Sequence, residues 1–380
     1  MAGIIDSDQH LYESRTLWRD YIDPHMRGEA LRIENDADGT PRLRWREEAI
    51  SIAEVQIPGR SAEIGDNHRR AREKLPPREC YDDVLPRDYW EPSARRAKLA
   101  SLGVDEAFLF PNFGLLWERK LQAALPAQLA NMAAWNRWCA DVSKDGGGQL
   151  HPVAHLSLRD PDWLLEQLAH CERAGIRLAM IAAGLVNGRP LSHADHDRLW
   201  AAFCAHGVTP VFHVADQIRP FDDAWYTDEA HGGIPAVEAI FLYIPAALSC
   251  TDLILNGTLE RFPDLRLGIV ELSSLWVPLF LMMLDGAWSF TNQINGLDSG
   301  RLRLQPSDYF RRQVRVSSFA YESPATLQQQ LGSDLLMACS DYPHSEGTAT
   351  PVIDYEAFGV APSQAPGLFR DNAAFLLRQS

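Results

Sequence analysis

The first and last apolar runs of this chain end in the same way, in acidic and imidazole side chains. Near the N-terminus Ile4-Ile5 leads into Asp6-Ser7-Asp8-Gln9-His10. Near the C-terminus Leu335-Leu336-Met337-Ala338-Cys339 leads into Ser340-Asp341-Tyr342-Pro343-His344. Side chains alternate along a strand, so Asp8 and His10 project to one side. Two chain ends that both read as the polar rim of a buried strand suit a closed barrel, whose first and last strands are neighbours.

The interior of the sequence fits that frame. Short apolar runs at 3–8, 106–111, 152–158, 178–182, 209–214, 267–272, 314–319 and 335–341 read as eight strands. Gly103, Gly175 and Gly207 stand just before three of them, where a left-handed glycine closes a helix. Helix-like stretches lie at 94–102, 119–143, 162–174, 193–206, 235–261, 275–290, 323–331 and 365–378. Alternation implies parallel pairing, and eight repeats imply an α/β fold, a (β/α)8 TIM barrel forming a single domain over 1–380. The segment 24–92 breaks the alternation. It carries a predicted β-hairpin around Asp38-Gly39 and a charged, Pro-bearing stretch at 69–77. It is expected to be an insertion after the first strand that caps the barrel mouth.

Composition narrows the partners. A formal charge of -15 over 380 residues opposes nucleic acid and anionic membranes. No apolar run is expected to reach the ~18 residues of a membrane helix. The N-terminus shows no basic-then-apolar leader, and the six cysteines include no C-x-x-C pair. The expectation is a cytoplasmic protein with reduced thiols acting on a small molecule. G-x-S-x-G, P-loop and G-x-G-x-x-G motifs are absent, so serine-hydrolase and nucleotide-binding readings have no support.

In a barrel the carboxyl ends of the strands converge on one mouth. Four residues expected there are good metal ligands: Asp8, His10, His213 and Asp341. Two imidazoles and two carboxylates suit one divalent ion, Zn²⁺ first and Mn²⁺ or Fe²⁺ next, with a position left for water or substrate. Such an ion would polarise a carbonyl or carboxylate, or lower the pKa of bound water towards ~7. Glu271 ends the sixth run; a carboxylate there is either a functional acid–base group or half of an ion pair with an Arg. His344 follows the Asp341 turn and reads as a proton carrier, a substrate contact or a loop His bonded to backbone. Asp341, Glu271 and His344 are therefore the candidate catalytic groups. His155 reads as a core histidine, His231 as a residue of the long fifth loop, and His193 and His196 as an incomplete pair. Trp135, Trp138 and Trp200 read as packing residues.

Several of these segments together resemble one family. They are Ile5-Asp6-Ser7-Asp8-Gln9-His10-Leu11-Tyr12-Glu13, Gly103 through Pro111, Phe212-His213, Arg261-Phe262-Pro263-Asp264-Leu265-Arg266 through Glu271, Trp276-Val277-Pro278, Ser340 through His344, and Asp371-Asn372-Ala373. The chain resembles the amidohydrolase-related metal-dependent TIM-barrel enzymes, the arm with aminocarboxymuconate-semialdehyde decarboxylase and γ-resorcylate decarboxylase. The resemblance implies a mononuclear metal on Asp8, His10, His213 and Asp341, and a homodimer by analogy. It also implies two departures. The first ligand is an acid, closer to the acid-x-His pattern of γ-resorcylate decarboxylase, and Glu271 stands where the characterised decarboxylases carry a His. The fourth run, 178–182, has no Lys to support a carbamylated binuclear centre. The expected activity is decarboxylation of a small aromatic or unsaturated carboxylate. The alternatives are hydrolysis of an amide, lactone or imine, and a barrel kept only as a scaffold.

Overall fold

The computed structural model describes residues 3–35, 41–50, 86–115, 117–214, 219–226, 236–296, 302–332, 334–344 and 347–379. Its main sheet is parallel throughout, with β1 (Ile5–Leu11), β5 (Glu106–Pro111), β6 (Leu150–His155), β7 (Leu178–Met180), β8 (Thr209–His213), β9 (Leu267–Val270), β10 (Val314–Ser318) and β11 (Leu336–Ala338) adjacent in chain order. The eight predicted strands are these eight. Helices surround them, as a TIM barrel requires.

Closure depends on the two chain ends. His10 N–H donates to the Tyr342 carbonyl at 2.8 Å, and Asp341 N–H donates to the Asp8 carbonyl at 2.9 Å. The Ser7 hydroxyl donates to the Ala338 carbonyl at 2.9 Å. Asp6 completes the seam by accepting Ser340 N–H at 3.0 Å and the Gln9 amide at 2.8 Å. Burial lifts the Asp6 carboxyl to about 6 against these donors.

Strand alternation divides the core into two layers. Inside the barrel, Ile5, Phe108, Phe110, Val153, Leu178, Met180, Val211, Val270 and Met337 pack on one another. Between strands and helices lie the alternate residues, such as Ala107 and Leu109 on β5. The terminal helix Asn372–Leu376 closes the amino-terminal end of the barrel. Ala373, Leu376 and Leu377 join the interior cluster, and the Thr209 hydroxyl donates to the Leu376 carbonyl at 2.7 Å.

Local signals worked where they were covalent. Gly103, Gly175 and Gly207 adopt φ of 76°, 73° and 63° at helix ends. Asp160 caps the helix Pro161–Ala174 by accepting from Asp162 N–H and Trp163 N–H, a contact worth about 1 kcal/mol. Longer readings need correction. The helix expected over 235–261 is three helices, Ala236–Phe241, Ile244–Leu255 and Thr258–Arg261. Pro245 starts one and the left-handed Gly257 (φ 76°) precedes another. The helix Pro306–Gln313 was not foreseen: it is short and polar on average, although its buried face, with Tyr309 and Phe310, makes it clearly amphipathic. The stretch Val237–Leu255 is long and apolar enough to cross a bilayer by composition. About a third of that window is buried, with Ala246, Ser249, Cys250, Leu253 and Ile254 on the packed face.

In the insertion, β2 (Arg32–Asn35) and β3 (Pro41–Trp45) pair antiparallel, with β4 (Glu48–Ala49) beside β3. The predicted hairpin is therefore present, although its turn at 36–40 and the stretch 51–85 lie outside the described residues. Ile33, Leu43 and Ile50 belong to the outer core. Leu31 N–H donates to Asn131 on the helix Leu125–Asp145 at 2.8 Å, tying the insertion to the barrel.

Candidate metal centre

Five ionisable residues from four strand ends, with His344 beyond the last, meet at the carboxyl-terminal mouth. His213 Nε2 lies 3.4 Å from Asp8 Oδ1 and 3.2 Å from Glu271 Oε2. His10 Nε2 lies 3.4 Å from Asp8 Oδ1, 3.8 Å from Glu271 Oε2 and 3.1 Å from Asp341 Oδ1. The donors form two overlapping groups, Asp8–His10–His213–Glu271 and His10–Glu271–Asp341–His344, each within 4.8 Å. The four residues expected to hold a metal fall across the two groups, Asp8 and His213 in one and Asp341 in the other, with His10 and Glu271 common to both.

The imidazoles are oriented for coordination. His10 Nδ1 is 3.1 Å from the Pro111 carbonyl and His213 Nδ1 is 2.8 Å from the Val214 carbonyl. A carbonyl only accepts, so each Nδ1 carries a proton and each Nε2 points at the cluster, where a bound cation would take the place of a proton. Glu271 arrives by a different route. Ile269 faces the outer core and Val270 the barrel interior, so strict alternation would send residue 271 outward. Its left-handed backbone, φ 53°, re-aims the side chain, and its N–H donates to the Ser317 hydroxyl at 3.0 Å. Asp341 is also left-handed, φ 56°. Non-glycine residues in that region cost on the order of 1 kcal/mol each and cluster at functional sites.

The electrostatics call for a cation. Burial alone would push both carboxylates up and the His10 imidazolium down. Instead, Asp8 is held below its ordinary range by His10 and His213, and Asp341 by His344 and His10, against that burial. His10 is lifted to about 10 by the carboxylates of Asp341 and Asp8. Asp8 Oδ2 and Asp341 Oδ2 are buried without a hydrogen-bond partner, while Asp341 Oδ1 faces the rings of His344 at 2.8 Å and His10 at 3.1 Å. Buried carboxylate oxygens that lack donors are costly unless a positive ion satisfies them. The donor set fits one divalent metal.

Behind the cluster lies a supporting layer in which His344 was a sequence candidate and Asn112, Glu13 and Arg95 were not. His344 lies 2.8 Å from Asp341 Oδ1 through Nδ1, donates its Nε2–H to Asn112 Oδ1 at 2.9 Å, and stacks on His10 at 3.7 Å. Glu13 accepts Phe113 N–H at 3.0 Å and Gly114 N–H at 2.8 Å, holding the loop that carries Asn112; burial lifts its carboxyl to about 7. Buried Arg95 donates to the His10 carbonyl at 2.8 Å and to Gln9 Oε1 at 3.1 Å. The one available signal was position: Asn112 directly follows β5, the same strand-end rule that found the ligands.

The other histidines behave as packing or capping groups. His155 is buried, 3.0 Å from Glu118 and edge-on to Trp117. His193 accepts Asp195 N–H, and neither it nor His196 joins a metal-competent group among the described residues. Trp135 and Trp200 are buried and donate to backbone carbonyls. His231 lies outside the described residues. Five described cysteines are free.

Comparison with known proteins identifies the family and agrees with the fold. The amidohydrolase family model matches residues 5–379. No curated protein matches the sequence. Among solved structures, an amidohydrolase from Mycobacterium avium subsp. paratuberculosis superposes with a TM-score of 0.77 at 23% identity, covering 99% of both chains. A 5-carboxyvanillate decarboxylase from Novosphingobium aromaticivorans, complexed with manganese and 4-hydroxy-3-methoxy-5-nitrobenzoic acid, gives 0.65 at 19%, covering 99% of this chain and 96% of its own. A dihydroxybenzoic acid decarboxylase from Polaromonas, with manganese and 2-nitroresorcinol, gives 0.59 at 13%, covering 100% and 97%.

Proposed function

We propose one reading from one premise: the chain belongs to the amidohydrolase family and is a metal-dependent enzyme. That reading is non-oxidative decarboxylation of a small aromatic or unsaturated carboxylate. The observation that carries it is the buried Asp8–His10–His213–Glu271 cluster continued by Asp341 and His344. The decarboxylases among its structural neighbours add weight.

In this reading Asp8, His10, His213 and Asp341 hold the ion. When bound, it supplies positive charge that draws in a substrate carboxylate with an adjacent oxygen. Zinc suits the nitrogen and oxygen donors, as do manganese and iron; manganese is the ion named for two neighbours. The remaining work falls to protons. Loss of CO₂ breaks the carbon–carboxylate bond and leaves its electron pair on carbon, which then takes one proton. Asp341 rests ionised, so it first takes a proton from solvent, directly or with Glu271 in relay, and then delivers it to that carbon. Glu271 suits the relay because its side chain keeps 14% exposure while Asp8, His10 and Asp341 have none. His344, anchored by Asn112, keeps Asp341 oriented. The insertion 24–92 is assigned the role of a cap, and free thiols suit a reducing, cytoplasmic setting.

One observation favours the second reading, hydrolysis of an amide, lactone or imine. Asp341 rests ionised, held there by His344 and His10, and an ionised carboxylate accepts a proton from attacking water. The test is a panel of hydroxylated aromatic and unsaturated carboxylates against amides and lactones, with CO₂ and product followed together. Release of CO₂ with stoichiometric decarboxylated product supports the first reading. Turnover confined to amides, lactones or imines without CO₂ overturns it in favour of the second.

A further inference from the structure

The sixth and eighth barrel strands, β9 and β11, lead to two acids of the mouth, Glu271 and Asp341, and β10 runs between them. Neighbouring strands lie about 4.8 Å apart, so what β10 carries at its carboxyl end stands beside both acids. It carries Phe319-Ala320-Tyr321-Glu322. Val314 and Val316 face the outer core, which turns Ser317 inward, where it accepts Glu271 N–H at 3.0 Å. Phe319 keeps an extended backbone, φ -66° and ψ 154°, so the alternation continues and its ring also turns to the mouth. Tyr321 stacks on it, with ring centroids 5.3 Å apart and planes within 9° of parallel.

This pair is not packing for the fold. Among the described residues, neither ring joins the interior or the outer hydrophobic layer. Tyr321 is 64% exposed. Burial, and then the carboxylates of Glu322, Asp341 and Glu271, nevertheless push its hydroxyl above the usual tyrosine range, so the side chain stands in the field of the metal cluster.

The base beneath the two rings is fixed. Buried Glu322 accepts Phe319 N–H at 3.1 Å, Ser274 N–H at 3.2 Å and the Ser274 hydroxyl at 2.8 Å. Tyr355 donates its hydroxyl to the Ser318 carbonyl. Ser274 lies three residues after Glu271, so one carboxylate ties the aromatic turn to the loop that carries the acid. An aromatic side chain on a fixed base loses little freedom when a ligand arrives. Phe319 covers one face of Tyr321, and the exposure leaves the other for a third ring.

We propose that Phe319 and Tyr321 form the wall that selects the substrate, stacking on a planar aromatic ring whose carboxylate and adjacent oxygen reach the metal cluster. Given the carboxylate reading above, on which this rests, an aromatic acid is preferred to a non-planar one bearing the same polar groups. Tyr321 determines the specificity and Phe319 positions it.

Isothermal titration calorimetry of the manganese-loaded full chain separates the ring from the chemistry. Two matched pairs serve as probes: 2-hydroxybenzoate with cis-2-hydroxycyclohexanecarboxylate, and the two corresponding amides. Each pair shares its polar groups and differs in planarity. Tyr321→Leu should lower the aromatic-to-saturated affinity ratio by about 3- to 10-fold, the range of one aromatic stack. Tyr321→Phe should keep the wild-type ratio, and both variants should melt with the wild type because the position is exposed. An unchanged ratio in Tyr321→Leu overturns the wall and leaves the carboxylate reading standing. A ratio lost in Tyr321→Phe as well assigns the effect to the hydroxyl and overturns the stack. If only the amides bind, the carboxylate reading fails; an amide ratio that Tyr321→Leu lowers upholds the wall, and an unchanged one overturns it. Binding of neither pair overturns both.

Discussion

The two ends of the barrel are equally buried and chemically opposite. At the amino-terminal end Ala373, Leu376 and Leu377 fill the interior against Ile5, Val153 and Leu178. At the carboxyl-terminal end Asp8, His10, His213 and Asp341 are just as inaccessible, yet several of their polar atoms have no hydrogen-bond partner. One end stores stability in packing; the other holds a buried charged cluster that a bound cation would satisfy. Mutations at the two ends should therefore separate activity from stability.

Asp341→Asn should show the largest effect. Proton transfer by a positioned side chain contributes about 10²–10⁴-fold, so kcat should fall by that factor with the melting temperature nearly unchanged. A rate near wild type would remove Asp341 from the mechanism. Leu376→Ala should do the reverse. Deleting a buried leucine that packs over Gly268 costs about 2–5 kcal/mol in denaturant titration, with kcat of the folded fraction retained. Stability within about 0.5 kcal/mol of wild type would mean that the plug is not part of the cooperative core. Glu271→Gln sharpens the comparison within the mouth. A relay role predicts a lowered rate with an altered pH profile, whereas a lowered melting temperature with a normal profile would make the residue structural.

The smallest effect belongs to the amino-terminal rim. Glu106 lies 2.7 Å from His151 and 3.1 Å from Arg370. Despite partial burial, the His151 contact draws its carboxyl down to about 2 from 4.5. A depressed carboxyl stabilises the fold above its unfolded value and loses that contribution as pH falls from about 4.5 to about 2. Glu106→Gln should flatten the stability profile in that window by about 1 kcal/mol, since the pair is partly open to solvent and screened. An unchanged acid profile would contradict the assignment.

The barrel was legible because parallel strands buried on both faces read as short apolar runs, and glycine caps are local. The ligands were legible because strand-end polar residues violate that apolar pattern. Glu271 was visible as an anomaly, but its place among the ligands depends on a left-handed backbone that no residue type announces. Asn112, Glu13 and Arg95 act through partners about 85–230 positions away, which only the folded chain brings together. Phe319 was read simply as the end of a strand, since residue type alone does not say that Tyr321 stacks on it.

Metal content of the wild type and of His213→Ala, measured after loading with manganese or zinc and removal of free ion, tests the central claim most directly. The account predicts one tightly held equivalent in the wild type and none in the variant, with both chains folded. A wild type that retains no metal, or a variant that retains a full equivalent, would contradict it.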